Sequence, residues 1–476
     1  MSRLILPFHS YTHRFKQVNS QRLVNCYVES VPVPAKTPIT LLRSPGIKQW
    51  LTLPTNPIRG FAVHNDMLYA VSGTTLYSIS AAGGVNSIGT IPGTQPVRTA
   101  SNGTELVIVN NPDGYLFVDG TLSKMTKQNF TDFGASDVVY LDGYFIYLVP
   151  DSMTFFSSEY FQDAGGLYVD AGTIDPLNFD LAIGAPDKVV SMIVDHRQIF
   201  LFGTETTEIW YNAGTAGFPF LRETNGFIDV GCGAKRSPVK ADNTIFWFDN
   251  KRIARRLVDI TAQKISTNAI EQHWQDYTTV DDAYSFAYTH EGHWFWALTF
   301  PSEGITWEFD ISTNEWHERS SRNVTGGEDF WRVAAQVRCY GENIVGDSRS
   351  GKVGTIDSTT YTEWGELMRM EWTYPSIYAE GRRAFHKRLQ IEFEAGVGLT
   401  TGQGSDPQVM LSVSDDGGTS FTAIPTRDIG RIGQYRYRSV WNRLGSSDDR
   451  VYRASVSDPV RIAVVDSQVE VEGGHL

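Results

Sequence analysis

One pattern recurs along this chain and limits what it can become: a short polar turn followed by alternating apolar residues. It is present in "VHNDMLYAV" from Val63, "ASNGTELVIV" from Ala100, "YLDGYFIYLV" from Tyr140, "VDHRQIFLF" from Val194, "KADNTIFWF" from Lys240 and "YTHEGHWFWAL" from Tyr288. A weaker copy, "CYGENIVG", starts at Cys339. Turn-to-turn spacing is roughly 37 to 53 residues, the range of one four-stranded blade. Asn-Asp, Asn-Gly, Asp-Gly, Asp-Asn and Glu-Gly at the turns suit hairpins that need positive φ, and the alternation gives each strand one buried face. A further strand follows most copies, as in "TTLYSI", "GYLFVDG", "TEIWYNAG" and "ITWEFDI".

This rhythm predicts an all-β chain carrying a six- or seven-bladed β-propeller over residues 60–365, with the seventh repeat the weakest. Composition agrees: 12% aromatic residues, 43 Gly and 20 Pro favour many short strands joined by tight turns. Residues 1–59 stand outside the rhythm, and the Pro-punctuated "SVPVPAKTP" within them predicts an extended N-terminal arm or platform. From residue 366 alternation returns in "LQIEFEA", "VMLSVSDD" and "VRIAVVDSQVEVE", which predicts a separate C-terminal β-sandwich-like domain over 366–476. Its Arg427, Arg431, Arg436, Arg438, Arg443, Arg450 and Arg453 alternate with Asp residues and read as a solvated face.

The formal charge of −13 argues against a nucleic-acid binder held by phosphate neutralisation. The same sign suits a surface along which DNA slides without sticking. Cys26, Cys232 and Cys339 are isolated, with neither disulfide nor zinc spacing. The apolar run at the N-terminus is too short for a signal peptide, and no stretch is long enough to span a bilayer, which points away from secretory and membrane routes.

Four stretches hint at chemistry. "HEGHWFW" sets His290 and His293 beside Glu291, but on a hairpin turn, where the logic of two metal ligands on one helical face fails. "DVGCGAKRSP" has close glycines and a lysine without the Gly-Lys-Ser/Thr ending of a phosphate loop. "GRRAFHKR" concentrates Arg382, Arg383, Lys387 and Arg388 and reads as a solvated connector. The strongest is "SVSDDGGTSF": Ser414, Asp416, Gly418, Ser420 and Phe421 resemble the Asp-box hairpin of sialidases and other carbohydrate-active propellers. A structural account suffices for it, with the Asp416 carboxylate accepting backbone N–H groups, glycines taking left-handed φ, and Phe421 tucked into the local core. It occurs once and outside the blades, and no local signature assembles an arginine cluster with a tyrosine nucleophile and acidic partners. No catalytic, cofactor or metal residue is therefore assigned.

"NSQRLVNCYVES" from Asn19 and "LLRSPGIKQW" from Leu41 resemble the opening of the packaged-DNA stabilisation proteins of short-tailed phages, also called tail accessory factors or tail nozzle proteins. "IVDHRQIFLFGTETTEIWYNAG" from Ile193 is similar to a mid-chain blade of that family. Cys26 and Val28 depart from the usual opening, where an aliphatic-Tyr-Pro-Glu run is commoner. The resemblance implies a virion tail subunit, assembled in the host cytoplasm as a ring, a hexamer, below the portal-adaptor complex. It implies Arg22, Asn25, Tyr27, Pro45 and Gly46 as assembly contacts. Implied partners are further copies of the chain, portal-adaptor proteins, tail fibres or tailspikes, and a needle or plug, with genomic DNA passing through and no membrane insertion. The competing expectation is a propeller glycan hydrolase, sialidase-like or a capsule depolymerase. A WD or kelch scaffold lacks its serial Trp-Asp or Gly-Gly signature here.

Overall fold

The alternating hairpins become four-stranded antiparallel sheets in a computed structural model that describes residues 2–32, 34–162, 165–166, 168–182, 184–215, 217–378 and 381–473. Five separate sheets cover 58–90, 98–124, 137–181, 189–228 and 239–264, and a sixth set of four strands covers 284–322. The seventh comprises Val333–Cys339, Glu342–Asp347 and Lys352–Asp357, and its fourth strand is Gly46–Thr52, from the other end of the chain. The propeller therefore has seven blades. Its ring is closed by pairing an N-terminal strand with the last blade, which ties the closure to both ends of the sequence.

The first strands of neighbouring blades lie against each other around the axis, least so between the fourth and fifth blades. Each adjacent pair of blades shares its own apolar cluster, from Leu106 and Tyr69 between the first and second to Ile58, Leu68 and Ile344 between the seventh and first. Burying such side chains contributes roughly 1.5–3 kcal/mol each, so the seven seams hold the disc as one closed body.

The turn chemistry is as the alternation requires. Both central residues take positive φ at Asn65-Asp66, Asp142-Gly143, His196-Arg197, Asp242-Asn243, Glu291-Gly292 and Tyr340-Gly341, the geometry that matches strand twist in two-residue hairpins. Tyr340 explains why the seventh copy is weak in sequence: a bulky aromatic residue occupies a position that Asn65, Asp142, His196, Asp242 and Glu291 fill in other blades. Its hydroxyl accepts from Leu68 N at 3.0 Å and donates to Ile79 O at 2.6 Å, linking the seventh blade to the first.

The sandwich has two sheets, and neither consists of C-terminal residues alone. One runs Cys26–Ser30, Ile39–Arg43, Ala463–Gly473, Ala384–Phe393, Ser439–Asn442. In the other, Ser20–Val24 lies between Glu315–Arg322 of the sixth blade and Met370–Thr373. The described residues among 2–59 are thus largely extended, and what they are laid on is this chain's own sandwich and its sixth and seventh blades. Leu4, Leu6, Leu23, Cys26 and Leu41 share one core with Trp372, Leu389, Trp441 and Tyr452. Among the described residues no helix is long and apolar enough to cross a membrane.

Candidate functional site: the propeller–sandwich junction

The five residues singled out in the opening segment converge where that segment threads between the sixth blade and the sandwich. Asn25 ends the strand Ser20–Val24 in the left-handed region, with φ 53°, a conformation Asn tolerates better than most residues. Its side chain is buried and used on both sides. Nδ2 donates to Ser320 O at 2.9 Å and Arg369 O at 2.8 Å, and Oδ1 accepts from Ser320 N at 3.1 Å. The Asn25 amide donates to Glu318 O at 2.8 Å, while Ser44 N donates to Asn25 O at 3.0 Å.

Arg22 forms the ionic part of the junction. Its Nε and Nη2 donate to Glu318 Oε2 at 2.9 and 2.8 Å, Nη2 also reaches Glu328 at 3.1 Å, and Nη1 lies 3.7 Å from Glu371. Burial works against the Arg22 charge, yet the three glutamates outweigh it and hold the guanidinium above its ordinary range. Arg369 and Arg453 also reach the buried Glu371 carboxylate. A cavity of about 310 Å³ opens beside this seam, lined by Asn25, Arg322, Glu328 and Arg369 among others.

Tyr27 enters the cluster between the sixth and seventh blades, edge-on to Phe295 at 5.2 Å and to His293 at 5.0 Å, and its hydroxyl donates to Glu291 at 3.3 Å. Pro45 O accepts from the fully buried Arg319 at 3.0 Å. Gly46 starts the closing strand with no room for a side chain: a Cβ there would lie 2.4 Å from Thr362 O and 2.6 Å from Thr360 O. All five residues are therefore engaged within the chain itself.

Behind them the sixth blade carries buried polar pairs that sequence reasoning missed. Glu308 and His317 face each other in register, 2.7 Å apart, and Tyr288 donates to Glu308 at 2.7 Å. Burial would raise the Glu308 carboxyl, but His317 and Arg319 outweigh it and hold it low. His293 is likewise held by Asp310 at 2.7 Å. The signal was in "WEFD" and "WHER", where Glu308 and Asp310, and His317 and Arg319, share faces of apolar strands.

The Asp-box segment is the connection between Gln408–Ser414 and Thr422–Asp428, inside the sandwich. Asp416 accepts from Thr419 N, Ser420 N, Ser420 Oγ and Ser414 Oγ, the last two at 2.6 Å, and Gly418 N donates to Ser414 Oγ at 2.8 Å. Gly417 and Gly418 have positive φ and sit against Gln17 and Ser20, so the turn also seats the N-terminal segment. Phe421 corrects the expectation of a core residue. It is half-buried, with the Arg453 guanidinium 3.9 Å from its ring centroid, because the strand leaves the turn at the sheet edge.

Those donors hold the Asp416 carboxyl well below the ordinary range, first through Ser414 and Ser420. A depressed pKa contributes stability that is present above the unfolded value and lost as pH falls through the folded one. Amide protection at Thr419 and Ser420 is accordingly expected to persist as pH falls through about 4, where ordinary Asp side chains protonate. Asp416→Ala should abolish this protection while the blades keep theirs, as read by hydrogen exchange.

The arrangement offers little to nucleophilic or acid–base chemistry. The junction carboxylates are neutralised by arginine, and Asp416 is filled by donors. The thiols are buried, Cys232 being pushed up to about 11 by burial, so they stay protonated. Among the described residues no group of His, Cys, Asp and Glu could hold a metal ion.

Comparison with known proteins adds to this geometry. The family model described as "Bacteriophage P22 Gp10, beta-propeller" matches residues 17–361, and "Bacteriophage P22 Gp10, beta-sandwich" matches residues 369–472. No curated protein matches by sequence. Among solved structures, the chain is similar to virginiamycin B lyase from Staphylococcus aureus, at 10% identity and a TM-score of 0.44 over 65% of this chain and 98% of that one. It is also similar to the β-propeller domain of Cps50 (Swd1) from Myceliophteria thermophila, at 8% identity and a TM-score of 0.40 over 65% and 98%. YCF48 from Cyanidioschyzon merolae is similar at 11% identity and a TM-score of 0.39 over the same shares.

Proposed function

Because this chain belongs to the bacteriophage P22 Gp10 family through both its propeller and its sandwich, we propose that it is a non-enzymatic subunit of a phage tail hub or nozzle. In this reading six copies form a ring below the portal-adaptor complex, extend and help close the DNA channel, retain the packaged genome and mount fibres or tailspikes. The observation that carries the reading is the succession of the two family matches over nearly the whole chain.

Physical features support it. The opening segment welds disc to sandwich, so one subunit transmits load as a single piece. Large apolar side chains stand exposed on the third and fourth blades and their connections, among them Leu177 at 77%, Tyr160, Phe179, Leu221 and Phe227. Exposed apolar surface of this kind suits contact with another protein, here the next subunit. The charge of −13 keeps passing DNA from adhering. That DNA would run along the axis of the ring, since the axis of each propeller is bridged: Arg98, on the first strand of the second blade, donates to Lys235 O beside the fifth at 2.7 Å.

The glycan-hydrolase alternative needs a free arginine cluster, a nucleophilic tyrosine and a carboxylate base in the axial funnel. Tyr284 instead donates its hydroxyl to Val333 O at 2.8 Å, and Asp137 accepts from Met192 N and Ser191 Oγ. Mixing the purified full-length chain with its portal-adaptor complex tests the proposal. A ring-sized complex by light scattering is expected. A chain that stays monomeric and cleaves acidic polysaccharide would refute it.

A further inference from the structure

The segment "DVGCGAKRSP" brings Arg236 just ahead of Val239–Ala241, the first strand of the fifth blade, next to Lys235, whose carbonyl accepts from Arg98 of the second blade. Arg236 makes an isolated bridge to Tyr284 of the sixth blade, and its guanidinium lies 4.8 Å from the Tyr284 ring centroid. Among the described residues that guanidinium has no hydrogen-bond or ion-pair partner. It borders a cavity of about 160 Å³ also lined by Arg59, Thr94, Tyr284, Phe330 and Ser348.

The surrounding charges do not balance. Arg59 directs its donors to Gly73 O, Ile91 O, Pro92 O, Gln95 O and Asn110 Oδ1. Arg98, the next cation, reaches Asp137 at 3.6 Å, and that carboxylate is already shared with Ser191 and Met192. Burial, followed by the neighbouring Arg98, pushes the Arg236 pKa down to about 10, so the group remains charged at neutral pH. A partly buried cation without a counter-ion is costly, and the adjoining cavity, though apolar over most of its wall, is also lined by Thr94 and Ser348 and offers a place for one.

We propose that this cavity is an anion site that takes one small phosphate-type oxoanion, seated on the Arg236 guanidinium with Thr94 and Ser348 as hydroxyl partners. The site is independent of the tail assignment and adds a bound ion at the centre of the disc, on the side opposite in role to the apolar seams: it neutralises charge rather than burying surface. A volume of about 160 Å³ admits a free ion and is too small to take in a whole nucleotide, which separates the two sources of phosphate.

Calorimetric titration of the full-length chain with inorganic phosphate, and separately with AMP, tests this. Phosphate is expected to bind and to raise the melting midpoint. Arg236→Gln should weaken binding about tenfold or more, the scale of a lost charge-assisted contact, and Arg236→Lys should keep part of it. In phosphate-free buffer Arg236→Gln should melt no lower than the parent, because it removes an unpaired charge. Absent phosphate binding, equal binding by the parent and Arg236→Gln, AMP binding as tightly as phosphate, or a lower midpoint for Arg236→Gln in phosphate-free buffer would each overturn the proposal. Should Arg236→Gln fail to fold, the parent's phosphate and AMP titrations with Arg236→Lys decide alone.

Discussion

Asn25→Ala is expected to destabilise the junction by about 4 kcal/mol, combining lost buried hydrogen bonds with left-handed backbone strain. Three side-chain bonds tie Asn25 to Ser320 on the sixth blade and to Arg369 ahead of the sandwich. Removing them leaves buried carbonyls and an amide unpaired, which costs more than the bonds contribute net. Alanine at φ 53° adds the strain of a Cβ in that region. Asn25→Gly should recover the backbone share, about 1 kcal/mol, and not the rest. Urea unfolding followed by tryptophan fluorescence reads this, since Trp316 and Trp372 lie on strands flanking Asn25. A loss below about 1 kcal/mol for Asn25→Ala would mean the bonds are not what joins the two parts.

Arg22→Gln is expected to cost about 3 kcal/mol, the lower end for breaking a buried ion pair, because the Arg22 side chain keeps 32% of its exposure while Glu318 and Glu371 keep 5% and 2%. The substitution strands the buried Glu318 carboxylate beside Glu328, whereas Glu371 keeps Arg369 and Arg453. Adding Glu318→Gln to Arg22→Gln should recover part of the loss, and the double-mutant cycle then gives a coupling above about 1 kcal/mol. Additive effects would show that Arg22 acts through solvent rather than through Glu318.

Strands and hairpins could be read from sequence because their signals are local. A period of two and a polar pair at positive φ fit within ten residues, as at Asn65-Asp66 and Asp242-Asn243. The seventh blade was faint for two physical reasons: Tyr340 stands where a small polar residue is usual, and the closing strand Gly46–Thr52 comes from nearly three hundred residues earlier. The opening motif marked Arg22, Asn25, Tyr27, Pro45 and Gly46, but not their partners, since Glu318, Ser320, Arg319 and Thr360 lie far along the chain. Phe421 was misplaced because alternation cannot tell a core face from a sheet edge covered by one arginine. Arg236 was passed over because its segment failed a phosphate-loop pattern, whereas its setting, beside Tyr284 of the sixth blade and a cavity, is visible only in the folded chain.

The proposed assembly is a ring of subunits, each a seven-bladed disc welded to its sandwich through the N-terminal strands. A cryo-EM map of the assembled tail tests it most directly. Density for six copies below the portal-adaptor complex, each with Gly46–Thr52 closing its own seventh blade and Ser20–Val24 between its own sixth blade and sandwich, is the expected result. A tail lacking this chain, or one in which these strands cross into a neighbouring copy, would contradict the account.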